Sequence, residues 1–395
     1  MKEKTRKQKD FFRPLAFILN PLSLLLLLFF LHGAAADSGD GNGAVIRVAI
    51  ARNTPRFTLK TSSRVYAIEV RTGQKYMLLE RSSYEIKYIS PSRLALAGAT
   101  LESPVKLMPP DGGGKVNLNG RFYKGELFIK TAADEKLEVI EQLSVEDYLY
   151  GVLGVEMSPD WPLEALKAQA IASRTYALKN INPKKDYDLT DGAEMQVYNG
   201  ASLVNSKIIK AVNSTRGSVL AYKGKLITAF FHACCGGHTA SAGAAWSGDS
   251  IKPLAGIRDP FCSNSPHYRW NFYVAAGDLL AFIQKNGSTA LKIKGARIHK
   301  KDRSGRTRAF RFATDAGSVT VAASALRRHF GASDIRSTFI TRVARLRGGY
   351  EFKGKGWGHG VGMCQDGARQ MALNGKNYKR ILKHYYPGVT IDDVK

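Results

Sequence analysis

Three stretches of the sequence hold side chains able to do chemistry. The first is Gly151-Val152-Leu153-Gly154-Val155-Glu156-Met157-Ser158-Pro159, where one carboxyl sits between Val155 and Met157. An apolar setting raises a carboxyl pKa, and a carboxyl still protonated at neutral pH is what acid catalysis of glycoside cleavage requires. The competing reading is a helix-start glutamate, stabilised by backbone N–H groups and the helix dipole, which lowers the pKa instead. Spacing alone favours the second. The next stretch, Gly356–Gly362, has glycine at 356, 358, 360 and 362. No Gly-Lys-Ser/Thr follows it, so it is not a phosphate-binding P-loop, and its glycine spacing is wrong for a dinucleotide site. Alternating glycines let backbone come close to a ligand or to another strand. Trp357 offers a flat apolar face of the kind sugars stack on, and His359 a titratable donor; a tight packing loop explains the glycines equally well. The third stretch is a loop carrying His232, Cys234, Cys235, His238, Cys262 and His267, all zinc-binding types. It has no C-x-x-C, and adjacent cysteines seldom share one metal. A zinc site drawn from His232, Cys234, His238, Cys262 and His267, a disulfide from Cys262 to Cys234 or Cys235, and free buried thiols all remain open. The glutamate chemistry requires no cofactor.

Those residues need elements to hold them. Val45–Ala51 reads as a first strand, and up to residue 143 short β-like runs alternate with turns. Val116-Asn117-Leu118 and Arg121-Phe122-Tyr123 flank Asn119-Gly120, a strong hairpin signal. The character changes at Ser144. Helix-start chemistry at Ser158–Pro162 precedes Leu163, Leu166, Ala170, Ile171, Ala177 and Leu178 at helical spacing, and Asn182-Pro183 ends that helix. Val219–Tyr222 and Leu226–Phe231 predict a hairpin around Lys223-Gly224. Short strands fill 290–352 around a short helix near Ser324–His329, and helices over Gln365–Leu373 and Tyr378–Tyr386 close the chain. Strand runs with a few interspersed helices, lacking regular β-α alternation, predict an α+β fold: short, mostly antiparallel strands, a long central helix and two short C-terminal helices.

The chain has 395 residues, 44% of them hydrophobic, which suffices for a folded core and excludes general disorder. Residues 1–36 begin with six Lys/Arg, continue through an apolar run from Leu15 to Leu31 and end in Ala34-Ala35-Ala36, the pattern of a secretory signal peptide. The run is also near the length of an uncleaved membrane anchor. Residues 37–43 read as a linker and 44–395 as the folded part, with room for two lobes. The formal net charge is +26; loss of residues 1–36 leaves 53 basic against 31 acidic side chains, a charge of +22. Such an excess favours an anionic partner. For an exported chain that partner is wall or membrane polymer, not nucleic acid, with membrane contact only through the N-terminal segment.

Several blocks then carry a resemblance. Leu143–Leu149, Gly151-Val152, Glu156-Met157, Pro162–Ala170 and Ser173–Ala177 are followed by Gln196-Val197-Tyr198 and Gly236-Gly237-His238-Thr239. Gly356–Met363, Gln365, Gly367-Ala368, Met371-Ala372 and His384–Gly388 complete the series. In that order the blocks resemble the sporulation stage II protein D / amidase-enhancer (SpoIID/LytB) family over roughly residues 44–395. The resemblance implies action on peptidoglycan glycan strands outside the cytoplasm, in the periplasm or on the wall side of the membrane. It implies a catalytic Glu156, in a motif where Ser158 replaces the family's proline and Pro159 follows one position later. Arg174 and Tyr176 in the long helix, the former facing a substrate carboxylate, and Gln196 and Tyr198 are candidate substrate contacts for which a purely structural role is equally open; Trp357, His359 and Gln365 complete the candidate set. One branch of the family cuts denuded glycan as lytic transglycosylases; the other stimulates a separate wall amidase. Some members carry zinc just before the Gln-Val-Tyr-like block, where this chain has Leu189, Glu194 and Met195. Sporulation itself does not follow from the resemblance.

Overall fold

The computed structural model describes residues 43–109, 114–202, 205–246 and 250–393. The signal segment and all of the linker except Gly43 lie outside them. Eight helices occur among these residues: α1 (Val145–Glu156), α2 (Leu163–Asn180), α3 (Ser206–Asn213), α4 (Ala242–Trp246), α5 (Ala276–Lys285), α6 (Ala323–Phe330), α7 (Gln365–Leu373) and α8 (Tyr378–Tyr385). With many short, mostly antiparallel strands they form the expected α+β fold. No described helix is long and apolar enough to cross a membrane. The chain divides into two units, the first of residues up to Pro159 with Ala177–Arg216, the second of Asp160–Tyr176 with Gly217–Lys395.

The first unit holds a seven-stranded and a six-stranded sheet. Strand Arg56–Thr61 shows the period of two that a sheet with one buried face imposes: Phe57, Leu59 and Thr61 are buried, and the residues between them are exposed. The Asn119-Gly120 hairpin forms as its turn chemistry requires, with φ of 49° and 88° at the two positions. Strand Val45–Thr54 pairs antiparallel with Lys136–Ser144, and Leu189–Thr190 joins its other edge in parallel. Strand Lys136–Ser144 runs directly into α1. Ser144 caps that helix, its Oγ accepting from Asp147 N at 3.1 Å, and Tyr148, Leu149, Val152 and Leu153 bury its apolar face.

In the second unit, strand Gly349–Lys355 lies between Arg269–Ala275 and Ile340–Leu346, while Thr307–Thr314 lies between Ile293–Lys301 and Gly317–Ala322. Phe282 and Ile283 of α5 and Leu326 of α6 pack with Phe310, Phe312 and Phe352 in one apolar cluster. The expected hairpin after residue 218 is shorter than its apolar pattern suggested. Ser218–Tyr222 pairs with Lys225–Leu226, but Phe231-His232 leaves it to pair in parallel with Met363-Cys364. The apolar run continues because Phe231 is needed there, not because the hairpin does. Helices α1, α3, α4 and α5 were not expected from the sequence; in segments this short, packing and not composition decides the state.

Candidate functional site

Glu156 is the last residue of α1, and Met157–Pro162 separates it from α2. The helix-start reading is therefore corrected: the dipole presents its negative end to this carboxyl, not its positive one. The side chain is half-buried, and Val197 N donates to its Oε1 at 3.0 Å. The Gln196-Val197-Tyr198 segment reaches α1 because residue 151 is glycine. A Cβ there would lie 2.4 Å from Gly200 O and from the Tyr198 ring. Tyr198 is buried, packs on Tyr148 with ring centroids 4.9 Å apart, and donates to Glu141 Oε2 at 2.7 Å. Burial pushes the Glu141 carboxyl up, against the stabilising donors Tyr198 Oη, Gly125 N and Lys124 N. Gln196 is fully buried beside them. Of the other carboxylates near this stretch of sequence, Asp147 pairs with Lys124 at 2.7 Å and Asp191 with Arg121 at 3.3 Å.

Where some members of the resembling family bind zinc, the donors here do not fit that ion. Leu189 is a buried strand residue, Glu194 accepts from Arg52 at 3.0 Å and from Thr190 Oγ1 at 2.7 Å, and Met195 Sδ accepts from Thr190 N.

The remaining expected site residues lie in the second unit. Arg174 is buried, with Nη1 donating to Ser218 O at 3.1 Å, and so ties α2 to a strand. Tyr176 packs edge-on against Phe230. Gln365 is buried as the first residue of α7. Each glycine of the 356–362 loop has positive φ, and each also meets a close neighbour. A Cβ would lie 2.5 Å from Cys234 O at 356, 2.8 Å from His232 Cβ at 358 and 2.3 Å from Arg306 Nη2 at 360. Trp357 exchanges two backbone hydrogen bonds with Cys234, its ring meets His267 edge-on, and the Arg336 guanidinium lies over it at 4.9 Å. The sugar-stacking face expected at Trp357 is thus partly taken by Arg336. Trp246, 49% exposed, offers the freer ring, packed against Phe230 at 4.5 Å and His359 at 5.1 Å. The sequence reading missed it, since a lone Trp in a short helix carries no spacing signal.

His359 Nδ1 accepts from Val361 N at 3.0 Å. Desolvation, with Arg306 and Arg327 nearby, brings its pKa down to about 4 against the pull of a Phe231 backbone hydrogen bond, so the ring is neutral at pH 7. His232 is buried with Nδ1 on Val361 O at 3.1 Å, and its pKa is pushed well down by desolvation and then by His359.

All four cysteines are free thiols and buried. Cys235 and Cys262 sulfurs stand 3.4 Å apart, well beyond the ~2.05 Å of a disulfide. The potential ligand atoms of Cys235, Asp259, Cys262 and Cys364 lie within 4.8 Å of one another. Hydrogen bonds from the other three thiols favour Cys262 as the thiolate, while burial holds Cys364 and Cys235 protonated. The histidines of the expected zinc set are engaged elsewhere: His232 as above, His238 Nδ1 at its neighbour's Thr239 O, and His267 Nδ1 3.2 Å from Asp366. Asp259 and Cys364 were not in that set: Asp259 lies inside the same segment but is a carboxylate where only Cys and His were considered, and Cys364 lies far beyond it in sequence.

With this geometry, the comparisons place the chain firmly: it belongs to the stage II sporulation protein D family. The family model described as stage II sporulation protein matches residues 133–222, which include α1, Glu156, α2 and the Gln196–Tyr198 segment. A domain of unknown function matches 258–362. The chain is similar to the stage II sporulation protein D of Bacillus amyloliquefaciens, 31% identical over 276 residues, covering 64% of this chain and 76% of that one. It is 30% identical over 387 positions to the amidase enhancer of Bacillus subtilis strain 168, which covers 85% of this chain but only 53% of that protein. An uncharacterized protein of Brachyspira hyodysenteriae is 38% identical over 288 residues, 70% of this chain and 74% of its own.

Proposed function

We propose that the chain is an exported protein of the cell wall that cleaves peptidoglycan glycan strands as a lytic transglycosylase, with Glu156 as its single acid/base. The observation that carries this reading is Glu156 itself: a half-buried carboxyl at the negative end of α1, one oxygen of which is fixed by Val197 N at 3.0 Å. In the first step the protonated carboxyl gives its proton to the glycosidic oxygen as the C1–O bond breaks. In the second, the carboxylate takes the proton from the muramic C6 hydroxyl as that oxygen bonds to C1. The C6 oxygen replaces water, so one carboxyl suffices where hydrolysis generally uses two. The products are a free 4-hydroxyl and a 1,6-anhydro end, with no water consumed.

Exposed Trp246, with Phe230 and His359 packed against it, supports sugar stacking in the second unit. The basic excess supports binding to an anionic polymer. The similarity to an amidase enhancer supports a second reading, in which the chain activates a wall amidase without cutting glycan itself. Digestion of purified, peptide-free glycan strands with mass analysis of the products separates the two. Anhydro-muramyl ends support the transglycosylase. Intact strands, together with stimulation of an added amidase, move the chain to the enhancer branch.

A further inference from the structure

The four thiols come from three separate stretches of chain: Cys234 and Cys235 after the Phe231-His232 strand, Cys262 in the loop that follows α4, and Cys364 at the cap of α7. Chance seldom gathers every cysteine of a chain into one buried place. The sulfurs of Cys235, Cys262 and Cys364 and a carboxylate oxygen of Asp259, all within 4.8 Å of one another, match the spacing of a tetrahedral shell. With Zn–S bonds of ~2.3 Å, tetrahedral geometry sets sulfurs roughly 3.8 Å apart.

The surroundings suit thiolates. Cys235 N donates to Cys364 Sγ at 3.2 Å, Gly237 N to Cys235 Sγ at 3.3 Å and Gly367 N to Cys364 Sγ at 3.4 Å. Three backbone N–H groups thus point at sulfur, one of them from the first turn of a helix, where negative charge is favoured. The outer contacts are in place as well. Asp259 Oδ2 accepts from Tyr385 Oη at 3.0 Å and Oδ1 from Phe261 N at 2.9 Å, which fixes the carboxylate. Buried Arg306 donates to Cys235 O at 2.8 Å and to His238 O at 2.7 Å, placing a cation beside the cluster.

We propose that Cys235, Asp259, Cys262 and Cys364 hold one zinc-class divalent cation. All three sulfurs bind as thiolates, and any thiol proton still present is released to solvent. The three thiolates and one carboxylate exceed the ion's charge by two, which Arg306 partly offsets. The ion is structural. It ties the 232–262 loop to the start of α7 and, through the Cys234–Trp357 backbone pair, holds the glycine loop in register. This site is independent of the reaction at Glu156 and stands whether the chain is a transglycosylase or an enhancer.

The test is metal analysis of the full chain purified without chelators. About one zinc per chain is expected, released together with thiol titration when a mercurial reagent is added. Cobalt exchange should give thiolate-to-cobalt charge transfer in the near ultraviolet and the intense visible bands of a tetrahedral site. Cys262→Ser and Cys364→Ser should lose the metal, while Cys234→Ser keeps it. If those variants fail to fold, the wild-type cobalt spectrum still decides. Metal-free, folded wild type that binds no cobalt overturns the site, as does a mass showing two hydrogens lost to a disulfide. Loss of metal in Cys234→Ser with retention in Asp259→Asn overturns Asp259 as the fourth ligand.

Discussion

Val197 N donates to Glu156 Oε1 at 3.0 Å across 41 residues of sequence, joining the end of α1 to the segment that follows α2. The contact fixes one oxygen of a carboxyl at a helix end. Glu156→Gln keeps the size of the side chain and an oxygen for Val197 N, but it cannot exchange a proton. The variant should fold, still bind glycan and lose anhydro-end production by at least ~10²-fold, the lower bound for a placed acid/base. Quantifying anhydro-muramyl ends against time checks this; wild-type rates in the variant would remove Glu156 from the chemistry.

The approach that permits this contact depends on Gly151. Its Cβ would meet Gly200 O and the Tyr198 ring at 2.4 Å, both part of packed structure. Gly151→Ala should therefore destabilise the protein by about 1–3 kcal/mol, the usual range for overpacking, despite alanine's better helix propensity. Urea unfolding measures it. An unchanged or raised midpoint would show that the 196–200 segment yields easily.

These two residues illustrate what the sequence could and could not disclose. Helix α2, the Asn119-Gly120 hairpin and the two C-terminal helices were legible, because apolar period and turn residues act locally. Glu156 stood out as a lone carboxyl in an apolar run, yet its helix was assigned to the wrong side. The run Val145–Val155 is apolar enough to hide the helix that Ser144 caps. The cysteine cluster was half legible. Cys234, Cys235 and Cys262 share one loop region, but Cys364 joins them only through the parallel pairing of Phe231-His232 with Met363-Cys364. Pairing between positions 132 apart leaves no local trace. Arg174 was a candidate ligand for an acidic substrate; its burial, with Nη1 on the Ser218 carbonyl, is a setting that charge alone does not reveal.

The basic character of the second unit is organised. Arg297 stands directly opposite Arg311, and Arg342 opposite Lys353, with all four side chains exposed. Like charges facing each other across strands cost roughly 0.2–1 kcal/mol per pair, a cost that an anionic polymer relieves. Arg297→Gln with Arg311→Gln should hold or slightly raise thermal stability while weakening sedimentation with purified peptidoglycan sacculi. Wild-type binding should fall as salt rises from low values through ~0.15 M, where the screening length reaches ~8 Å, and the double variant should respond less. Equal binding and equal salt response in both proteins would place the anionic contact elsewhere.

The last prediction concerns protons on His359. Desolvation, with Arg306 and Arg327 adding positive charge, sets its pKa at about 4, against ~6.5 in an unfolded chain. Between those values the unfolded state binds more protons than the folded one, so stability falls as pH is lowered through that window. The contribution is complete above pH ~6.5 and is lost once pH passes below 4. His232, buried and pushed down in the same sense, acts in the same direction. His359→Asn leaves an oxygen placed to accept from Val361 N, as Nδ1 does at 3.0 Å, but carries no titrating group. The stability advantage of wild type over His359→Asn should therefore be larger at pH 7 than at pH 4. Carboxylates titrating in the same range cancel in that comparison because both proteins share them. Ring resonances of labelled histidine should show one site with a midpoint near 4 that disappears in the variant. A midpoint near 6.5 for that site would mean that the ring is open to water and charged in mild acid, and the neutral packing described around it would be wrong.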